Sequence, residues 1–243
     1  MRGRVWLFDL DDTLHHASGG IFAELGVAMN AYIVRHLGVS AQQAQELRRK
    51  YWLRYGATLL GLVRHHQVVA SHFLHETHAL PQLERVLRAS SPDIAWLRRL
   101  QGRKVLLTNA PRHYAQRVLK ALDLQHVFDA VVTVEQMKIF GHWRPKPDVR
   151  MFRHVCARLK AQPSQCILVE DSPHNLKAAR SLGMSTVWMR GFTPSHVQHR
   201  PAFVDRRVTH LRQLTAWPTS PTSPTSPTSP TSPDSRGRKT RKR

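Results

Sequence analysis

Two acidic residues lie two positions apart at the end of the first apolar run of the chain. The run Val5–Phe8 leads into Asp9, and Asp11 follows after one leucine. Both carboxylates can face one site if the chain turns there, so that one attacks an electrophile while the other transfers a proton. Acids in this pattern also serve in ordinary turns and helix caps. A catalytic role therefore depends on partners elsewhere in the chain.

Two later segments carry groups that suit an anion. Thr108 follows another apolar run, and its hydroxyl together with the backbone amide of Asn109 could hold a phosphate oxygen. Lys146 lies between two prolines and could neutralise the charge of a phosphate and of an attacking carboxylate together. The second of these prolines, Pro147, suits the first position of a following helix. These residue types predict phosphate chemistry.

A further acidic pair completes an oxygen-rich set. Glu170 and Asp171 come directly after an apolar run, as Asp9 does. Carboxylate oxygens are the ligands that select Mg²⁺. Acids that converge without a cation repel each other and are costly to ionise. The sequence therefore predicts a bound metal ion at this site.

Short apolar runs that alternate with helix-sized segments must position these groups. The runs do not alternate between apolar and polar residues, which is typical of parallel strands buried on both faces. We therefore predict a doubly wound α/β fold with a parallel sheet. Ligands of such sheets bind beyond the carboxyl ends of the strands, where the polar groups above lie. The predicted strands are residues 5–8, 105–107, 131–134, 167–169 and 186–189.

The segment between the first two strands has a different character. Residues 16–90 contain helical patterns at 22–37 and 41–55, and we find no convincing strand among them. A helical insertion at this point would lie over the site as a lid. We predict a core domain of residues 1–15 and 91–217 with an all-α cap of residues 16–90.

The charge of the chain suggests a polyanion as a partner. Lys and Arg number 37 against 16 Asp and Glu, a formal net charge of +21. This balance suggests a nucleic-acid binder at first. Residues 218–243 consist of Pro-Thr-Ser triplets and a basic end, a composition that predicts disorder. The tail has six basic residues and one acid, so most of the charge lies on residues 1–217. We expect nucleic acid to bind only through the tail.

Composition also bears on the compartment. Two cysteines are too few for a disulfide framework, which favours a reducing compartment. No apolar run approaches the roughly 18 residues of a membrane helix. We expect a cytoplasmic protein with no membrane partner, and the sequence does not specify an oligomeric state.

Four segments in order resemble the motifs of the haloacid dehalogenase (HAD) superfamily. They are FDLDDTL at residues 8–14, LTNA at 107–110, RPKPD at 144–148 and VEDS at 169–172. The resemblance covers about residues 4–195 and implies the HAD-like Rossmannoid core, with a helical cap after the first strand.

The resemblance also implies roles for individual residues. Asp9 is similar to the nucleophile that forms an aspartyl-phosphate, and Asp11 to the general acid/base. Thr108 and Lys146 resemble phosphate ligands, and Asp9, the Asp11 backbone carbonyl and Asp171 resemble the ligands of Mg²⁺. The second acid, Asp11, favours phosphoryl transfer, because dehalogenases of the superfamily lack it.

Finer features resemble bacterial pyrimidine 5′-nucleotidases. They include DTLH at 12–15, YGATL at 55–59, GHWRPKP at 141–147 and EDSPHNL at 170–176. Many members place a second acid where this chain has Asn175, so metal binding here is expected to depend more on Glu170. The expected activity is Mg²⁺-dependent hydrolysis of a small phosphorylated metabolite, most plausibly a pyrimidine nucleoside 5′-monophosphate. A sugar-phosphate phosphatase, a phosphomutase and a polyanion-binding protein remain alternatives.

Two groups in the predicted cap allow both a functional and a packing interpretation. Three histidines beside Glu76 have a spacing that could supply metal ligands on a helix. With 16 histidines in the chain, chance clusters are also expected. Three aromatic residues could stack on a nucleobase or pack in the cap core. The histidines are His72, His75 and His78, and the aromatic residues are Tyr51, Trp52 and Tyr55.

Overall fold

A computed structural model describes residues 3–192 and 199–214. The predicted disordered tail, 218–243, lies outside the described residues, and so does the C-terminal end of the predicted core domain. Within the described residues, no helix combines the length and the apolar character needed to cross a bilayer.

Six parallel strands form the central sheet, in the order β3-β2-β1-β6-β7-β8. Every neighbouring pair is parallel. The doubly wound α/β fold is thus confirmed, and β1, β2, β3, β6 and β7 overlap the five predicted runs, although β3 ends at Val132 and not at residue 134. The strands are β1 Val5–Phe8, β2 Arg103–Leu107, β3 Ala130–Val132, β6 Cys166–Glu170, β7 Ser185–Met189 and β8 Arg206–Val208.

Three short strands were not predicted. β8 forms one edge of the sheet, and β4 and β5 form a separate antiparallel pair just before Lys146. β4 comprises Lys138–Ile139 and β5 comprises His142–Trp143. With two or three residues each, these strands are too short to produce a hydrophobic pattern.

Helices cover the sheet and fill the interval between β1 and β2. In the described residues that interval contains helices and no strand, as expected for an all-α insertion. The helices are α1 Ile21–Leu37, α2 Ala41–Tyr55, α3 Thr58–His66, α4 Ala70–Thr77, α5 Leu83–Val86, α6 Ser91–Arg99, α7 Arg112–Ala121, α8 Val149–Leu159 and α9 Pro173–Arg180.

Local signals explain the bounds of α2. Ser40 accepts a hydrogen bond from the backbone of Gln43, whose side chain accepts one from the Ser40 backbone in return. This capping box satisfies amides that the first helical turn leaves without partners. The helix ends at Gly56, whose φ of 78° is readily adopted only by a residue without a Cβ.

Both faces of the sheet are buried, because successive side chains of a strand point to opposite sides. Trp6 and Phe8 pack in one cluster, which includes Tyr114 of α7. Val5 and Leu7 pack in the other, which includes Phe152 of α8. Because each strand must fill two apolar layers, its sequence lacks the alternation of a one-sided sheet.

The helices between β1 and β2 divide their buried side chains between two clusters. Ile21 and Leu83 pack with residues of the sheet. Tyr32 and Phe73 pack in a third cluster that contains no residue of the six strands. The segment therefore contacts the sheet near its two ends, while its middle packs in a cluster apart from the sheet that also includes Val134. The cap boundaries, 16–90, stay a prediction.

The packing of α3 against α2 predicts whether a glycine-to-alanine change in α3 lowers or raises the free energy of unfolding. Gly61→Ala should lower the free energy of unfolding by about 1–3 kcal/mol, since overpacking has this cost. A methyl group at this position would collide with the ring of Tyr51. Helix propensity alone predicts the opposite, a gain of about 1 kcal/mol.

The matched control is Gly26→Ala in α1, where a methyl group would lie 3.4 Å from the flexible end of Arg48. This variant is expected to be at least as stable as wild type. Urea unfolding of both variants measures the difference, and a stabilised Gly61→Ala variant would contradict the packing argument.

Candidate active site

The polar site lies where the chain reverses its direction across the sheet. β1 pairs with β2 on one side and with β6 on the other. The chain builds β1, β2 and β3 outward in one direction and then crosses to β6, β7 and β8. Neighbouring strands diverge at such a switch point and leave a crevice at their carboxyl ends. The register places Asp9, Thr108 and Glu170 at this edge.

A buried ion-pair cluster occupies the edge. Lys146 Nζ donates to Asp9 Oδ1 at 2.5 Å and to Glu170 Oε2 at 2.7 Å. All three side chains are buried, with Lys146 2% exposed. A buried ammonium requires such partners, since it has left water. The lysine that sequence reasoning placed between two prolines thus bridges the ends of β1 and β6.

Three carboxyl groups share this one lysine. Oxygens of Asp9, Glu170 and Asp171 all lie within 4.8 Å of one another. Burial, followed by repulsion from Glu170, raises the pKa of Asp9 to about 8. Burial and repulsion from Glu170 and Asp9 likewise raise the pKa of Asp171 to about 10. One ammonium is therefore too little positive charge to hold all three groups ionised.

The donor set fits a hard divalent cation. Three predicted metal residues, Asp9, Glu170 and Asp171, come together, and all their donor atoms are oxygens. A cation among them would offset the repulsion that contributes to the raised pKa values of Asp9 and Asp171. The fourth predicted metal residue, Asp11, lies outside this carboxylate cluster. That its backbone carbonyl oxygen binds the metal ion stays a prediction.

Asp11 is held differently from Asp9. His15 Nε2 donates to Asp11 Oδ1 at 3.0 Å, and the Tyr114 hydroxyl donates to the same oxygen at 2.7 Å. Burial alone would raise the pKa of Asp11, but the hydrogen bond and the charge of His15, together with the Tyr114 hydrogen bond, outweigh it and lower this pKa. The two acids therefore have opposite shifts, as a division of labour requires.

Sequence reasoning did not identify Tyr114 or His15 as functional residues. His15 belongs to the DTLH segment at 12–15, but no role was assigned to it. The available signal was its position four residues after Asp11. Tyr114 carries no such signal, because it is one apolar position of the amphipathic helix α7. The fold alone brings it to Asp11. Burial and the Asp11 charge raise the pKa of Tyr114, so its hydroxyl keeps its proton.

One predicted phosphate ligand, Asn109, is hydrogen-bonded to the backbone of Lys146. Asn109 Nδ2 donates to the Lys146 carbonyl at 3.0 Å, and the Lys146 backbone N–H donates to Asn109 Oδ1 at 2.9 Å. The Asn109 side chain thus fixes the loop that carries Lys146. The group of Asn109 that is predicted to contact phosphate is therefore its backbone N–H. Thr108 is buried, and its hydroxyl oxygen accepts from the Ala110 N–H at 3.0 Å.

The prediction that Pro147 begins a helix is wrong. α8 begins at Val149, and Asp148 is its N-cap, with Oδ1 accepting from the Arg150 N–H at 2.8 Å. Arg144 Nη1 also donates to Asp148 Oδ2 at 3.0 Å. The side chain of Asp148 satisfies an amide of the first helical turn, which a proline at that position could not do.

Part of the helical segment touches the lysine loop. A methyl group at Gly56, in the turn between α2 and α3, would lie 3.6 Å from Pro147 Cδ. The His16 ring stacks on Phe192 at a centroid distance of 5.3 Å. The insertion therefore meets the core close to Lys146 and again just after β7.

The candidate stacking residues have different environments. Tyr51 is buried, and its hydroxyl lies 2.6 Å from His66 Nε2. The Tyr55 hydroxyl lies 2.6 Å from His65 Nε2. Trp52 is 61% exposed. Tyr51 therefore belongs to the packing of α2 on α3, which leaves Trp52 and Tyr55 as the candidates for contact with a ligand.

A parallel sheet with an acid and lysine cluster at its switch point has the architecture of an α/β enzyme. The model of the haloacid dehalogenase-like hydrolase family matches residues 4–183, and the chain belongs to this family. The HAD resemblance drawn from the four motifs is confirmed. The closer resemblance to pyrimidine 5′-nucleotidases stays a prediction.

Two curated relatives are phosphatases. The chain is 38% identical to the fructose-1-phosphate phosphatase YqaB of Escherichia coli over 84 residues, which are 34% of this chain and 42% of that protein. It is 30% identical to the validoxylamine A 7′-phosphate phosphatase of Streptomyces hygroscopicus subsp. limoneus over 125 residues, 50% of this chain and 54% of the relative. The chain thus spans about half the length of these relatives.

Solved structures support the fold. A HAD phosphatase from Thermococcus onnurineus superposes with a TM-score of 0.59 at 22% identity, over 88% of this chain and 96% of that one. At this level of identity the similarity concerns the fold alone.

The charge imbalance at the site predicts a stability response to Mg²⁺. At a hundredfold excess over its Kd, Mg²⁺ should raise Tm by roughly 5–10 °C, since it binds the folded state. At one fixed Mg²⁺ concentration, the rise should be larger at about pH 8 than at about pH 6, because protonated acids must release their protons before they bind metal. Thermal scans with Mg²⁺ or EDTA measure both effects.

Asp171→Asn supplies the control. This substitution removes one of the repelling carboxyls, so the variant without metal should be as stable as wild type while its response to Mg²⁺ is much reduced. An unchanged response would show that the ion binds elsewhere.

Proposed function

We propose that this chain is a Mg²⁺-dependent phosphatase that hydrolyses small phosphomonoesters through an aspartyl-phosphate on Asp9. The observation that carries the proposal is the pair of differently held acids beside a buried lysine. Asp9 binds Lys146, whereas Asp11 binds His15 and Tyr114. A nucleophile and a proton-transfer group need such separate environments.

The nucleophilic step falls to Asp9. Its Oδ1 binds Lys146 Nζ, so Oδ2 attacks the phosphorus in line with the leaving oxygen. Lys146 keeps the carboxylate oriented and stabilises negative charge on the transferring group. Its own pKa is raised by Asp9 and Glu170 against the effect of burial, so it remains an ammonium ion throughout. The Thr108 hydroxyl and the Asn109 amide would bind the remaining phosphoryl oxygens.

A bound Mg²⁺ would be held by Asp9, Asp171 and Glu170, with the Asp11 carbonyl as a further ligand. When bound, this ion supplies positive charge that offsets the phosphoryl oxygens and keeps the carboxylates ionised.

Asp11 transfers protons in both halves of the reaction. The negative charge of an arriving phosphate raises the pKa of Asp11, which favours the protonated form that donates to the leaving oxygen. After the alcohol departs, the hydrogen bonds from His15 and Tyr114 favour the carboxylate. In that form Asp11 takes a proton from the water that attacks the aspartyl-phosphate.

Phosphorylated sugars are the first substrate class to test. One curated relative is named for fructose 1-phosphate, and this chain is 38% identical to it over 84 residues. The pyrimidine nucleoside 5′-monophosphate predicted from the motifs is the second class, favoured by the exposed ring of Trp52. Inorganic phosphate release from a panel of both classes ranks them by kcat/KM. Isomerisation of a sugar phosphate without phosphate release would instead indicate a phosphomutase.

Asp9→Asn should abolish phosphatase activity. The amide retains the shape of the side chain but is a poor nucleophile, so kcat should fall by about 10³-fold or more. Turnover of p-nitrophenyl phosphate with Mg²⁺ measures the loss.

The matched control is Asp123→Asn, an equivalent change at an exposed aspartate that pairs with Arg98 on the surface. This variant should retain wild-type activity. Full activity of Asp9→Asn would exclude the aspartyl-phosphate.

Tyr114→Phe tests the proposed role of Asp11 in proton transfer. Removing the hydroxyl takes a hydrogen bond from the Asp11 carboxylate, so the Asp11 pKa should rise. The acidic limb of the kcat profile should therefore move to higher pH, and kcat at low pH should fall about 10- to 100-fold, as expected for a hydrogen bond to a charged group. An unshifted profile with a lower kcat would assign Tyr114 to packing instead.

A further inference from the structure

A second group of metal-ligand side chains lies in the helical segment, away from the carboxylate cluster. Nitrogens of His36 and His72 and a carboxylate oxygen of Glu76 all lie within 4.8 Å of one another. His72 and Glu76 are four residues apart on one face of α4, with Nε2 and Oε1 at 2.7 Å. His36 comes from the last turn of α1. We call this group the His36–His72–Glu76 cluster.

Neighbouring side chains orient each of the three groups. The Tyr32 hydroxyl lies 3.0 Å from His72 Nδ1, and the Tyr32 ring stacks on the His36 ring at a centroid distance of 4.1 Å. Tyr32 is 3% exposed, so its position is fixed by packing. Arg35 donates to the Glu76 carboxylate. Outer partners of this kind set the tautomer and the ring orientation of histidine ligands in metal sites.

We propose that the His36–His72–Glu76 cluster is a site for a divalent transition metal ion of the Zn²⁺, Co²⁺ and Ni²⁺ class. Two imidazole nitrogens and one carboxylate oxygen suit these ions, whereas Mg²⁺ prefers oxygen ligands alone. The donor set differs in this respect from the all-oxygen set of Asp9, Glu170 and Asp171. Three protein ligands leave a fourth position for water.

Binding requires two local rearrangements whose protons balance. In the metal-free form we assign the His72 proton to Nε2, which lies 2.7 Å from Glu76 Oε1, because an ionised carboxylate can only accept a hydrogen bond. On binding, that proton moves to Nδ1, which then donates to the Tyr32 oxygen, and Nε2 is free to bind the ion. Arg35 Nε, now 3.3 Å from His36 Nε2, must turn away from that nitrogen. Its side chain is 62% exposed, so the guanidinium can rotate Nε toward solvent while its terminal nitrogen keeps the contact with Glu76 Oε2.

The ion would join the end of α1 to α4. These helices contact each other in the cluster that contains Tyr32 and Phe73, apart from the sheet. A ligand shared by two helices stabilises the folded form by mass action. The site would thus act on the stability of the helical segment, and it requires no part in phosphate chemistry.

Co²⁺ binding to the full, untagged chain tests the proposal. Saturating Mg²⁺ is present throughout so that the carboxylate cluster is filled. We expect d–d absorption bands of a nitrogen and oxygen site on addition of Co²⁺, their loss on addition of Zn²⁺, and one Zn²⁺ per chain by calorimetry. His36→Ala and His72→Ala should each weaken Zn²⁺ binding at least about tenfold, and Tyr32→Phe by about 10- to 100-fold, as outer-partner losses do.

His75→Ala is the matched control, since His75 is an exposed histidine on the same helix and outside the cluster. It should bind Zn²⁺ as wild type does. Glu76→Gln, which keeps the shape of the side chain, serves if an alanine variant fails to fold. Equal Zn²⁺ affinity in wild type, His72→Ala and Glu76→Gln would overturn the proposal, as would a Zn²⁺ site that only Asp171→Asn removes. Phosphatase activity with Mg²⁺ should be unchanged in Glu76→Gln, so this test is separate from that of the proposed function.

Discussion

The placement of one buried ammonium group governs the organisation of the carboxyl edge of the sheet. Lys146 lies between Asp9 at the end of β1 and Glu170 at the end of β6. An unpaired charge at this depth would cost several kcal/mol, so the lysine and the two acids must be positioned together. Hydrogen bonds on both sides of Lys146 hold its loop in place. Asn109 fixes the backbone of Lys146 from one side, and Asp148 starts α8 just beyond it.

The fold and the electrostatics depend on the same topological feature. Because β1 is central and the chain turns in opposite directions on its two sides, a crevice opens at the carboxyl ends of β1 and β6. The parallel register then delivers Asp9 and Glu170 from adjacent strands. In an antiparallel sheet, the carboxyl ends of adjacent strands would lie at opposite edges. The parallel topology therefore brings the acidic side chains together at one edge of the sheet. Their mutual repulsion is relieved by positive charge placed among them.

Features that depend on neighbouring residues of the chain could be predicted from the sequence, whereas contacts between distant segments could not. The strands that carry Asp9, Thr108 and Glu170 were predictable, because unbroken apolar runs followed by polar residues mark the carboxyl ends of buried parallel strands. Tyr114 was not, because its contact with Asp11 arises from the packing of α7 and leaves no trace in the spacing. His36 was missed for the same reason, since the notable spacing of histidines is within α4 and the partner comes from α1. β8 is three residues long, too short for periodicity to register.

The electrostatic imbalance also orders the events at the site. Three carboxylates and one ammonium leave two surplus negative charges when all are ionised. Without a cation, burial and mutual repulsion favour the protonated forms of Asp9 and Asp171 near neutral pH, because their pKa values are raised to about 8 and about 10. A divalent cation held by Asp9, Glu170 and Asp171 would offset this repulsion and favour the ionised form of Asp9 that the proposed attack requires. In the proposed mechanism the cation therefore prepares Asp9 for attack, and the positive charge of the chain would contribute by attracting the anionic substrate toward the site.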